Sequence, residues 1–272
     1  MSNGYPERIV CLTEETTETL YLLGEDWRIV GISGYTVRPT RARREKPRVS
    51  AFTSAKIDEI TRLEPDLVLG FSDLQAEIAA DLVKRGCEVH VFNQRTVTGI
   101  FRMIRMLGGM IGCDQSASQL VAELQSGLDD VRAKSAQLGS RPKVYFEEWD
   151  NPQISGIGWV SELIELAGGD DCFRELGREA LAKNRIIADP TEVVRRRPDI
   201  IVGSWCGKKF RPETVAARCG WCDVPAVANG CLYEIKSPII LQPGPAAVSD
   251  GVAELLRIFT EWDQRGGCGF AN

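Results

Sequence analysis

The chain has 272 residues, with 33 Lys and Arg against 38 Asp and Glu, a formal net charge of -5 and 43% hydrophobic residues. This is ordinary globular composition, long enough for one large domain or two of roughly 100–150 residues each. It excludes a disordered or collagen-like chain and a strongly basic nucleic-acid binder, so no nucleic acid is expected as a partner.

Residues 1–8 contain neither a basic n-region nor an apolar h-region, so no export signal is legible and a cytoplasmic protein is expected. Short β-branched runs then alternate with helical periodicity. Strands are expected at residues 8–12, 28–32, 66–70, 88–92, 143–146, 199–203 and 232–235, with helices between most of them. Alternation of this kind implies parallel sheets joined by crossover helices. From Gln115 to Leu138 the apolar residues Leu120, Val121, Leu124, Leu128, Val131 and Leu138 recur at helical spacing, which predicts one long helix separating two α/β halves. The expected organisation is an N-terminal α/β lobe over 1–113, a linking helix over 114–140 and a C-terminal α/β lobe over 141–272. No apolar run approaches the roughly 20 residues of a membrane span.

The halves look related. Ile57 opens a helical stretch that stops at Pro65 and continues as Asp66-Leu67-Val68, and Thr191 opens one that stops at Pro198 and continues as Asp199-Ile200-Ile201. Thr17 to Gly24 and Ser161 to Gly168 each offer a hydroxyl able to start a helix and a glycine able to end it. Two similar lobes create one ligand cleft, beyond the carboxyl ends of the strands. Aromatic and charged residues recur at those ends. Phe71, Trp149 and Trp205 are candidates for apolar slabs against a planar ligand, with Tyr35, Phe52 and Trp159 as second candidates. Arg38, Lys208 and Lys236 are candidates for phosphate or amide oxygens, and Asp73 and Gln242 also fall at the cleft. Glu147 and Glu148 are expected to pair with those bases or to accept from ligand amides, because an unpaired buried carboxylate is costly.

Other constellations argue against most chemistry. The lone histidine, His90, alternates within a strand and reads as a packed sheet residue, which leaves no Ser-His or Cys-His pair. Nine cysteines, Cys268 among them, form an odd and scattered set that fits a reducing compartment. Cys219-Gly220-Trp221-Cys222 has dithiol spacing but no second pair to complete a metal site, so no metal is expected. Cys206 stands beside Lys208 and Lys209 as the one thiol with activating neighbours. The basic stretch from Arg38 to Arg48 is a solvated loop, and neither a Walker loop nor GxGxxG is present.

Over nearly the whole chain the sequence resembles the vitamin B12-binding and iron-siderophore-binding proteins of ABC importers, the helical-backbone class of periplasmic binding proteins. The resemblance runs from Arg8-Ile9-Val10-Cys11-Leu12 through Gly31-Ile32-Ser33-Gly34, Lys46-Pro47-Arg48-Val49-Ser50-Ala51-Phe52 and Leu63-Glu64-Pro65-Asp66-Leu67-Val68 to Gly168-Gly169 and Ser237-Pro238-Ile239-Ile240. The cobalamin-binding branch is the nearest. The resemblance implies two Rossmann-like lobes with parallel sheets, joined by one long rigid helix, with cobalamin or another corrinoid or metal chelate as ligand and no required cofactor. It also implies docking on an ABC permease through one acidic residue per lobe, seven before the proline of the Pro-Asp element. That position is Asp58 in the first lobe and Thr191 in the second, so Asp58, Glu59 and Glu192 are the docking candidates. Together these readings predict a soluble, monomeric, non-catalytic binding protein working in the cytoplasm. The alternatives are an exported, periplasmic importer component with a mis-assigned start, and an enzyme on a chelatase-like scaffold using Glu147, Glu148 or Cys206.

Overall fold

A computed structural model describes residues 4–267; the first three residues and Cys268 lie outside them. The chain forms two compact α/β units. One comprises the described residues through Gln94 with Thr98–Leu124, and the other Arg95–Val97 with the described residues from Gln125 onward.

The first unit is built on five parallel strands, β1 (Ile9–Cys11), β2 (Ile29–Ser33), β3 (Arg48–Ser50), β4 (Leu67–Phe71) and β5 (Val89–Phe92), in the order β3-β2-β1-β4-β5. The central β1 is apolar throughout and fully buried, as a parallel strand covered on both faces must be. The helices in this part of the chain are α1 (Glu14–Leu22), α2 (Ala42–Glu45), α3 (Ile57–Arg62), α4 (Ala76–Lys84), α5 (Val97–Met110) and α6 (Asp114–Ser135). Ile60 of α3 and Ile78 and Leu82 of α4 pack with Val10, Val49 and Val68 into one core cluster. α1 closes on Gly24, whose φ of +75° lets Glu25 N donate to Leu20 O, a geometry a β-carbon would strain. The expected long helix is α6, and the chain crosses from the first unit to the second within it.

The second unit carries β6 (Lys143–Asp150), β7 (Gln153–Ser155), β8 (Asp170–Asp171), β9 (Ile200–Gly203) and β10 (Leu232–Glu234), in the order β10-β9-β6-β7 with β8 also on β6. Its helices are α7 (Gly158–Leu166), α8 (Arg174–Gly177), α9 (Thr191–Arg196), α10 (Pro212–Ala216), α11 (Pro225–Ala228), α12 (Ser237–Ile240) and α13 (Val252–Gln264). Prolines at the first positions of α10 and α11 fall where a missing N–H costs nothing.

Two features depart from the sequence expectation. β6 does not stop at Phe146 but runs on to Asp150, and β7 returns antiparallel to it across Asn151 and Pro152. Glu147, Glu148, Trp149 and Asp150 are therefore strand residues of a hairpin rather than a loop, which is possible because both glutamates have arginine partners there. β3, β7 and β8 are additional strands of three, three and two residues, too short to show a period.

The Pro-Asp elements have the same use in both units. Asp66 accepts from Glu7 N (2.7 Å) and Arg8 N (2.9 Å), and Asp199 accepts from Lys143 N (2.8 Å), so each aspartate ties its own strand to the entry of the neighbouring strand. Among the described residues no helix is long and apolar enough to cross a membrane.

Candidate ligand-binding surfaces

At the carboxyl ends of the first unit's strands, the chain leaves β1 directly into Thr13-Glu14-Glu15, and α1 is buried from Glu14 to Tyr21. Glu14 Oε1 accepts from Val37 N (2.8 Å) and Arg38 N (2.9 Å), which fixes the loop after β2. Glu18 Oε1 accepts from Arg38 Nε (2.8 Å), and Glu15 Oε1 from the Thr13 hydroxyl (2.7 Å). The second carboxyl oxygens of Glu14 and Glu15 are buried without a hydrogen-bond partner. Burial accordingly pushes both groups up to about 7. These acids were not among the sequence candidates, although they stand immediately after β1, at the same topological place as the candidates that stand after β2 and β4.

Around them, Tyr35 is 54% exposed, and Arg38 is half-buried on Glu18. Phe71 is buried, Phe52 half-buried and Asp73 exposed. A fully buried Gln75 clamps three strand ends: its Oε1 accepts from Phe71 N (2.9 Å), and its Nε2 donates to Phe52 O (3.0 Å) and Leu12 O (3.3 Å). Gln75 carries no signal in the sequence, since its partners lie on three separate segments.

In the second unit the strand ends carry a different chemistry. Glu147 is completely buried and accepts from both terminal nitrogens of Arg218 (Nη2 at 2.9 Å), from the Tyr145 hydroxyl (2.9 Å) and from Trp205 Nε1 (3.0 Å). Burial together with the neighbouring Glu147 charge holds the Tyr145 phenol well above its ordinary range, so it stays a donor. Burial disfavours the Arg218 charge, but Glu147 outweighs it and leaves the guanidinium more firmly protonated than usual. Glu148 receives both terminal nitrogens of Arg185, a 2%-exposed arginine that also donates to Ser155 O. The glutamates are thus paired as expected, but with Arg218 and Arg185 rather than with Arg38, Lys208 or Lys236.

Trp205 is buried, fixed by Glu147 and packed edge-on against Phe210 with ring centroids 5.0 Å apart. Gly203 makes that packing feasible, since a β-carbon there would lie 1.9 Å from Phe210 Cδ2. Trp149 is half-buried, with its indole donating to Asn151 O (3.0 Å). Lys208 bonds Asp150 and holds its ammonium 4.8 Å from the Trp205 ring centroid and 5.6 Å from that of Trp149. An open pocket of about 400 Å³ is lined by Trp205, Lys208, Lys209, Glu234 and Lys236, with Gly207, Ser237 and Pro238 completing its wall. The structure therefore brings Trp149, Trp205, Lys208 and Lys236 onto one surface. Trp159 lies in the core, its indole donating to Ile240 O (2.8 Å), and Gln242 is half-buried after α12.

The docking candidates sit in first helical turns. Asp58 and Glu59 open α3, bonded to Arg85 and Lys56, and Glu192 opens α9, bonded to Arg195 and Arg196. Cys206, Cys219 and Cys222 are exposed, and Cys11 and Cys231 are buried. His90 is half-buried in β5 with Phe92 edge-on at 4.4 Å, and burial lowers its pKa. Among the described residues no cluster of three His, Cys, Asp or Glu side chains offers a metal site.

Two α/β units carry charged and aromatic side chains at their strand ends, and comparison with known proteins gives the family. The periplasmic binding protein family matches residues 9–239, and the chain belongs to it. An uncharacterized ABC transporter substrate-binding lipoprotein of Bacillus subtilis is 26% identical over 92% of this chain and 79% of its own length. The vitamin B12-binding protein of Vibrio campbellii is 22% identical over 89% and 86%, and a cobalamin-binding protein of Halobacterium salinarum 24% identical over 89% and 67%. Among solved structures, the periplasmic vitamin B12-binding protein of Vibrio cholerae superposes with a TM-score of 0.75 at 21% identity, covering 96% of this chain and 98% of that one. A possible iron-binding periplasmic solute-binding protein of Staphylococcus epidermidis superposes with a TM-score of 0.79 at 19% identity, covering 94% and 99%.

The protein is thus a non-catalytic substrate-binding protein of the ABC-importer type. The enzyme alternative falls with that assignment, and Glu147 and Glu148 are committed to their arginines. The cytoplasmic expectation is corrected as well: the relatives are lipoproteins or periplasmic proteins, which act outside the cytoplasm. The odd and scattered cysteine set misled there, because a fold of this size needs no disulfide in either compartment.

Proposed function

We propose that the protein captures cobalamin or a related corrinoid outside the cytoplasm and delivers it to an ABC permease. The observation that carries this reading is the surface at the ends of β6 and β9, where two indoles share one ammonium, Lys208, beside an open pocket. A corrin macrocycle offers a broad apolar face for the half-buried Trp149 indole and a rim of amides and one phosphodiester for cations. The vitamin B12-binding and cobalamin-binding names of several relatives agree with it. The acidic first turns of α3 and α9 are the proposed permease contacts, with Glu192 serving where Thr191 stands at the equivalent position.

Visible absorption and calorimetric titration with cobalamin test the assignment. Binding near one equivalent with a changed spectrum is expected, and Trp149→Ala weakens it without unfolding the chain, because Trp149 is only half-buried. No heat and no spectral change with any corrinoid would remove it.

A further inference from the structure

The pocket of the second unit holds more positive charge than a stacking surface requires. Three ammonium groups line it, those of Lys208, Lys209 and Lys236, against the single carboxylate of Glu234. Lys208 is already neutralised by Asp150 and spread over the Trp205 and Trp149 rings. Glu234 is tied back, its Oε1 accepting from Phe210 N (3.1 Å). Lys209 and Lys236 are exposed, and their side chains make no hydrogen bond or ion pair with the described residues. The wall behind them is rigid, because Trp205 is pinned by Glu147 and Phe210. Two lysine side chains without an ionic partner on one fixed pocket wall form a recognisable pattern. Such cations take an acidic group of a ligand through charge-assisted hydrogen bonds.

We propose that this pocket is an anion subsite, in which Lys209 and Lys236 grip a phosphate or carboxylate of the ligand. The inference deepens the ligand reading above and rests on it for the identity of the ligand. Corrinoids supply the acid as the phosphodiester of the nucleotide arm, whereas porphyrins and hydroxy-acid chelates supply it as carboxylates.

The test compares wild type with the K209Q/K236Q double variant by calorimetry at low and high salt. Its ligands are cobalamin, cobinamide (the same corrin without the phosphodiester arm) and iron protoporphyrin, with inorganic phosphate and citrate as free anions read by thermal shift. Both lysines are exposed and unpaired, so the variant melts with wild type in the absence of ligand. Wild type is expected to bind cobalamin about tenfold or more tighter than cobinamide, and the variant to lose that margin and its salt dependence while holding cobinamide unchanged. If the acid is a carboxylate, the same loss falls on iron protoporphyrin instead. Unchanged affinity of the variant for every acid-bearing ligand overturns the subsite. Failure of the corrinoid reading is seen separately, as wild type binding neither corrinoid. In that case phosphate or citrate stabilisation that is lost in the variant still supports the subsite, and stabilisation equal in both proteins refutes it.

Discussion

Replacing Arg218 by Met isolates what holds the second unit's strand ends in place. The guanidinium is 18% exposed, but its partner Glu147 is 0% exposed, so deleting the base strands a carboxylate that cannot reach water. Removing one partner of a buried ion pair costs about 3–5 kcal/mol. The Tyr145 hydroxyl and the Trp205 indole still donate to Glu147, which places the expected loss near the lower end, at about 3 kcal/mol. For a unit of this size one kcal/mol moves the melting temperature by roughly 2–4 °C, so R218M melts about 6–12 °C below wild type. Scanning calorimetry and urea unfolding followed by tryptophan emission both read this, since Trp205 and Trp221 lie against the network.

The double variant E147Q/R218M separates charge from packing. Glutamine keeps an acceptor for Trp205 and carries no charge to strand, so the double variant is more stable than R218M alone, and the cycle gives a favourable coupling between the two sites. An R218M melting temperature within about 2 °C of wild type, or a double variant less stable than R218M, would refute the reasoning.

Three further outcomes are expected. Burial lifts the Glu14 and Glu15 carboxyls from 4.5 to about 7, so between those values the folded chain keeps protons that the unfolded chain has released; stability falls as pH rises through that window, and Glu15→Gln flattens the slope of urea midpoint against pH. Gly203→Ala drives a β-carbon into Phe210 and destabilises the protein by about 1–3 kcal/mol with a shift in Trp205 emission, whereas a wild-type urea midpoint and emission would mean that Phe210 moves freely. Brief maleimide labelling of the native protein, mapped by mass spectrometry, modifies Cys206, Cys219 and Cys222 ahead of Cys11 and Cys172, whose thiols burial pushes up to about 12.

Strands with continuous apolar runs were legible because parallel sheets bury both faces and leave a local signature. The run Leu67-Val68-Leu69 and the run Ile200-Ile201-Val202 are of this kind. β3, β7 and β8 had no such signature, and β7 is antiparallel, set by a turn at Asn151-Pro152 that alternation alone does not announce. At the strand ends the sequence exposed Trp149, Trp205 and Lys208 but not their supports. Glu147 meets Arg218 across 71 positions and Glu148 meets Arg185 across 37. Separations of that size are fixed by chain topology, which no local pattern encodes.

The two halves show why family and ligand are legible to different degrees. Asp66 and Asp199 serve equivalent strand entries, so the repeated Pro-Asp element marks a scaffold device and says nothing of cargo. The residues beyond the strand ends diverge. The first unit gathers Glu14 and Glu18 around Arg38, and the second gathers indoles and lysines around a pocket. On the proposed reading, specificity resides in the non-repeated part of a repeated architecture, where side chains such as Glu147 and Glu148 are positioned by partners distant in sequence. That is the reason a chain can declare its fold through short motifs while its ligand has to be argued from charge and geometry.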